Sequence, residues 1–238
     1  MSPNITIVYF GLAGRAEPIR LAAVVGKLPF YNKAINFKDF GAMQQDKDRL
    51  PLGQLPLLEI EDERIGHKTI IPQTDAILRY VGKRTGLYPD DPLEALQVDS
   101  IMDTIKALEA PMEVTFMGPV KSLIADKEWE KDEKLAMRKR ILEVAIPKYL
   151  GFLERKLTEN GTGWLVGTSI TIADLRLYFP CQVMIGNGIL DGIPPESLDS
   201  YPNIKKCMAK ISEIPEVVAW YEAHPGRKYG DFEHIPKA

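Results

Sequence analysis

The chain has 238 residues, 45% of them hydrophobic and 26% charged, which suits a folded, water-soluble protein of one large or two modest domains. Its 30 Lys and Arg against 33 Asp and Glu give a net charge of −3, so there is no broad positive field for nucleic acid or an anionic membrane. The two cysteines, Cys181 and Cys207, exclude a disulfide framework, a cysteine zinc module and a CxxC redox pair. No apolar run approaches the ~18 residues that span a bilayer. No basic segment followed by a long apolar one opens the chain, so an intracellular, cytoplasmic protein is expected.

Ile5–Phe10 is β-branched and aromatic and stops at Gly11, the pattern of a buried strand. Glu17–Val25 places Ile19, Leu21, Ala22 and Val25 on one helical face, with Pro18 tolerated in the first turn. Pro29–Phe37 reads as a weaker strand, and the polar stretch 38–50 as a loop with a short helix. Leu55–Ile60 is the third expected strand, Glu61-Asp62-Glu63-Arg64 its turn, and Ile65–Ile71 the fourth. Thr74–Thr85 carries Ala76, Ile77, Tyr80 and Val81 at helical spacing. This alternation predicts a small mixed sheet with helices on its faces.

Tyr88-Pro89-Asp90-Asp91-Pro92 has the character of a linker, so domains over 1–87 and 92–238 are expected, the second all-helical. In the second, Ile101, Ile105, Leu108 and Met112 mark an amphipathic helix. Leu142, Ile146, Tyr149, Leu153 and Leu157 mark another, which Pro147 should kink because it lacks a ladder donor. Thr171-Ile172-Ala173-Asp174 is a capping box, with Ile170 and Leu175 as its hydrophobic staple. Ile204–Ile214 and Glu216–Ala223 are the last helices expected.

Four segments stand out in order. They are Val8-Tyr9-Phe10-Gly11-Leu12-Ala13-Gly14-Arg15-Ala16-Glu17, Gly53-Gln54-Leu55-Pro56-Leu57-Leu58-Glu59, Gln73-Thr74-Asp75-Ala76-Ile77-Leu78-Arg79-Tyr80, and Trp164-Leu165-Val166-Gly167-Thr168-Ser169-Ile170-Thr171-Ile172-Ala173-Asp174. Together they resemble the cytosolic glutathione transferases of the tyrosine type, most closely the sigma class, over Ile5 to about Pro225. The resemblance implies an α/β thioredoxin-like first domain that binds glutathione as co-substrate, and an all-α second domain. It also implies a homodimer without a metal.

A free thiol has a pKa of about 8.5, so only a few per cent is thiolate at neutral pH. By the resemblance, Tyr9 is the catalytic hydroxyl that stabilises the thiolate; standing alone it reads rather as a core aromatic with its OH satisfied elsewhere. The resemblance extends the glutathione site to Phe10, Arg15, Lys47, Gly53, Gln54, Leu55, Pro56, Gln73 and Thr74. Phe40 or Met43 stands where the family has a tryptophan. Arg15 can instead form a surface ion pair with Glu17, Leu55-Pro56 can be an edge-strand proline rather than the family's cis bond, and Thr74 can be a simple N-cap. Gln54 replaces a common lysine, and more residues than usual separate Pro56 from Gln73. Ala107, after Lys106, stands where a partner-subunit aspartate is common, and Asp103 lies one turn earlier. The electrophile site is expected to use Phe10, Leu12, Met112 and Phe116, apolar side chains suited to small hydrophobic electrophiles.

Three functions remain open on this reading: a glutathione-conjugating transferase, a glutathione-dependent isomerase of the prostaglandin D synthase kind, and a non-catalytic protein that binds glutathione or hydrophobic ligands.

Overall fold

The computed structural model describes residues 4–62, 67–117 and 130–236. They fall into two units, Met1–Pro89 with Ile211–Ala238, and Asp90–Lys210. In the first unit, β1 (Ile5–Phe10) is followed by α1 (Glu17–Val25), β2 (Phe30–Ile35) and α2 (Phe37–Met43). β3 (Leu57–Asp62), β4 (His67–Pro72) and α3 (Thr74–Thr85) complete the first 85 residues. β1 lies in the middle of a sheet ordered β4-β3-β1-β2-β5, which explains why its sequence is continuously apolar rather than alternating. It pairs parallel with β2 across the α1 crossover and antiparallel with β3. α1 carries the buried Ile19, Leu21, Ala22 and Ala23 and packs against α3.

β3 begins at Leu57 rather than Leu55 because Pro56, which has no amide to give the ladder, precedes it. It also continues through Glu61 and Asp62, which the sequence reading assigned to a turn. Glu63, Arg64 and the expected strand start at Ile65 lie outside the described residues. The additional residues between Pro56 and Gln73 lengthen a hairpin, paired from Leu57↔Pro72 to Asp62↔His67.

The second unit contains α4 (Pro92–Met117), α5 (Lys131–Arg140), α6 (Ile146–Asn160) and α7 (Ile172–Tyr178), and α8 (Pro202–Ser212) runs out of it past Lys210. The irregularity expected at Pro147 takes the form of a π turn over Ile141–Ala145, closed by the Ile146 amide donating to the Ile141 carbonyl. At the start of α7 the capping box is formed. The Thr171 amide and hydroxyl donate to Asp174 Oδ2 at 2.8 and 3.0 Å, and the Ala173 amide donates to the Thr171 hydroxyl at 3.3 Å. Asp174 Oδ1 accepts the Leu165 amide at 2.8 Å, so this one buried carboxylate also fixes the loop before the helix.

α9 (Pro215–Ala223) and β5 (Phe232–His234) return to the first unit, whereas the sequence reading placed everything from 92 onward in the helical part. α9 packs on α1, and β5 pairs antiparallel with β2 through Phe30↔His234, Tyr31↔Glu233 and Asn32↔Phe232. The architecture is a mixed sheet with flanking helices followed by an all-helical unit, as the resemblance implies. Among the described residues no helix is long and apolar enough to cross a membrane.

Candidate active site

Strand register brings together the segments that the sequence holds far apart. Val8 pairs with Leu57, and Leu57 with Pro72, across the neighbouring strands β1, β3 and β4. The residues just beyond that row, Tyr9 and Phe10, Leu55 and Pro56, and Gln73 and Thr74, therefore share one end of the sheet. The Leu55–Pro56 peptide is cis, and Leu55 lies outside the ladder that begins at Leu57. Gln73 has φ +83°, a left-handed conformation uncommon for a residue with a side chain, and it stands immediately before the first turn of α3. Its side chain makes no capping hydrogen bond, and Thr74 is the first helical residue rather than the cap.

The connection from α2 to β3 adds the remaining glutathione candidates. Gly53 turns at φ +63°, and its carbonyl accepts from Gln44 Nε2 at 3.4 Å. Lys47 Nζ donates to the Gln44 carbonyl at 3.1 Å and lies 3.7 Å from where a Cβ on Gly53 would stand. Gln54 is exposed beside them. Phe40 meets the Phe10 ring edge-on at 5.0 Å, while Met43 closes α2. Phe37, which the sequence reading did not single out, stacks on Phe10 at 4.6 Å and is 70% exposed. Leu12 is also largely open, at 39%.

Tyr9 is buried at the end of β1, and its hydroxyl oxygen accepts the Arg15 backbone amide at 3.1 Å. An amide donating to the phenol oxygen polarises the hydroxyl. Gly14 makes the geometry possible. It adopts φ +48°, and a Cβ there would stand 2.5 Å from both Cε1 and Oη of Tyr9.

Behind Tyr9 lies a polar cluster that the sequence reading missed. Glu17, expected as a surface partner for Arg15, is fully buried; it accepts from the Tyr229 hydroxyl at 2.7 Å and Trp220 Nε1 at 3.4 Å, and meets Arg20 at 3.5 Å. Arg20 is fully buried as well. It donates to Asn32 Oδ1 at 2.9 Å and to the carbonyls of Leu12 and Ala13 at 3.0 and 3.2 Å. An Arg and a Glu three apart near a helix start look like an exposed pair in sequence. Only the distant Tyr229 and Asn32 reveal that they face inward.

In the second unit, Met112 is fully buried, while Phe116 is 47% exposed with the Arg138 guanidinium 5.3 Å from its ring. Asp103, Lys106 and Ala107 are all exposed on α4. The buried Glu109 and Arg176 join α4 to α7 by two parallel hydrogen bonds of 2.5 Å.

The chain is similar to known proteins along nearly its whole length. Residues 116–224 match the family model described as Glutathione S-transferase, C-terminal domain. Glutathione S-transferase 1 of Ascaris suum is 30% identical over 95% of this chain and all of its own length. Hematopoietic prostaglandin D synthase of Homo sapiens is 29% identical over 95% of this chain and 99% of its own. Among solved structures, the monomeric glutathione S-transferase Na-GST-3 of the hookworm Necator americanus superposes with a TM-score of 0.71. It is 28% identical and covers 95% of this chain and 100% of its own. A glutathione S-transferase 30% identical over its full length, together with the matching C-terminal family model, makes this chain a member of the glutathione S-transferase family of enzymes.

Proposed function

We propose that the protein conjugates glutathione to small hydrophobic electrophiles, with Tyr9 holding the thiol as thiolate. The observation that carries this reading is the Tyr9 hydroxyl, buried at the sheet end beside Leu55–Pro56 and Gln73–Thr74 and fixed by the Arg15 amide at 3.1 Å. Its O–H donates to the sulfur. A pKa lowered by two units would correspond to about 2.7 kcal/mol and bring the thiol to half-ionisation near neutral pH. The Leu55 backbone is suited to hydrogen-bond the cysteinyl part in the manner of an added strand. The first amides of α3, with Thr74, suit the γ-glutamyl carboxylate. Lys47 supplies a cation for the glycyl carboxylate, beside Gly53 and Gln54, with Phe40, Met43 and Arg15 bordering the site. Phe10 and Leu12 form the first unit's share of the electrophile surface. They carry no group that rejects an analogue by leaving a hydrogen bond unmade, which supports broad acceptance. A cytoplasmic homodimer is the state proposed for the working enzyme.

The resemblance to a prostaglandin D synthase supports a second reading, isomerisation with glutathione regenerated. Both readings need the thiolate, so a substrate panel separates them. Steady-state rates with aryl halides, unsaturated carbonyls and a prostaglandin endoperoxide should show several conjugated at comparable efficiency. Efficient turnover of the endoperoxide with negligible conjugation of the others would reverse the ranking. Tyr9→Phe should lower conjugation about 25-fold at neutral pH while leaving glutathione affinity within about twofold. Wild-type turnover and an unmoved thiol pKa in that variant would remove Tyr9 from the mechanism.

A further inference from the structure

The C-terminal segment reaches the Tyr9 turn at Lys228, which bridges to Leu12, and most extensively at Tyr229. The Tyr229 amide donates to the Gly11 carbonyl at 3.3 Å, and its own carbonyl oxygen lies 2.7 Å from where a Cβ on Gly11 would stand. Its hydroxyl donates to Glu17 Oε1 at 2.7 Å, and the Arg20 guanidinium lies over its ring at 4.3 Å. Arg20 in turn holds the carbonyls of Leu12 and Ala13. Those two residues lead directly into Gly14 and the Arg15 amide that grips Tyr9 Oη at 3.1 Å. Arg20 Nη2 has no hydrogen-bond partner among the described residues, so the aromatic face is a substantial part of what holds the buried guanidinium. Burial and the neighbouring Glu17 push the Tyr229 hydroxyl far above ordinary tyrosine, so it stays a donor.

We propose that Tyr229 is a positioning residue for the reaction, fixing the Gly11–Arg15 turn, and through it the Tyr9 hydroxyl, by way of Arg20 and Glu17. The inference rests on the reading of Tyr9 as the thiol-activating donor. Loss of Tyr229 lets the Leu12 and Ala13 carbonyls drift, and the Arg15 amide with them, so the hydroxyl meets the sulfur less often. The effect appears in thiolate stability rather than in electrophile binding.

The test compares wild type with Tyr229→Phe, Tyr229→Ala and Asp231→Ala. The last removes a different anchor of the same segment, the bond from the Ala34 amide to Asp231 Oδ1 at 2.7 Å. Bound-glutathione thiolate is followed by ultraviolet absorbance against pH, alongside kcat and KM with an aryl halide. Tyr229→Ala should raise the thiol pKa by about one unit, with kcat about threefold lower at neutral pH, KM for the halide unchanged, and the rate recovered at high pH. Tyr229→Phe keeps the ring over Arg20 and should raise the pKa by only about half a unit, with a rate loss of about 1.5-fold. It decides the question if the alanine variant does not fold. Asp231→Ala should keep the wild-type profile. Wild-type pH profiles in both Tyr229 variants, or an equal shift in Asp231→Ala, would overturn the positioning role alone. A wild-type protein that neither binds nor conjugates glutathione would overturn the proposed function and this inference with it.

Discussion

At the scale of single residues, the placement of the Tyr9 hydroxyl depends on one glycine. Gly14→Ala would place a methyl 2.5 Å from the Tyr9 ring and 2.9 Å from Leu12 Cδ1, at a φ of +48° that disfavours any side chain. We expect a loss of about 1–3 kcal/mol in unfolding free energy and a fall of about tenfold in conjugation, with glutathione still bound. Titration of the bound thiol would check it: an unmoved pKa means that Tyr9 can yield without leaving the sulfur. Tyr9 was legible as a candidate only together with the three later segments, because alone it reads as a core aromatic. Arg20 and Glu17 were not legible. Both are charged residues that share a partner, Tyr229, more than 200 positions from each.

At the scale of elements, local signals carried furthest where they were self-sufficient. β1, α1 and α3 have the boundaries that their apolar periodicity predicts, and the Thr171 box forms where its four residues stand. Thr171→Ala should cost about 1 kcal/mol through the lost cap, read as a lower denaturation midpoint, with conjugation per folded molecule unchanged. Asp174 adds a pH dependence. Burial raises its pKa from 3.8 to about 6, against the opposing bonds from Leu165, Thr171 and Cys207. Because the folded value lies above the unfolded one, the native state holds the extra proton between them. The contribution is complete below about pH 4 and fades as pH rises through about 6. Wild type should therefore gain about 1 kcal/mol over Asp174→Asn between pH 7 and pH 5. Parallel urea midpoints for the two across that range would contradict this. Signals failed where partners are remote: Glu61 and Asp62 look like a turn until β4 extends the hairpin, and Phe232-Glu233-His234 becomes a strand only because β2 has an edge to offer.

At the scale of the whole molecule, dimerisation is the open expectation, since the resemblance implies a pair whereas the hookworm relative is monomeric. Light scattering at micromolar concentration should give about twice the 26.7 kDa chain mass; a value at the chain mass would reject the pair. By the resemblance alone, Ala107 takes the position of a common acidic residue and has no carboxylate to offer, so conjugation should change little on Ala107→Ser, assayed as kcat/KM for glutathione. The order in which the first unit's parts are joined has a consequence for its birth on the ribosome. Met1–Pro89 is made before the helical unit, but Ile211–Ala238, which supplies Trp220, Tyr229 and β5, is made after it. Until that segment follows, Glu17 and Arg20 lack those partners, and the outer rim of β2 is bare. The helical unit Asp90–Lys210 is contiguous and can close on itself first, so the sheet unit, although begun earlier, is the later of the two to be completed.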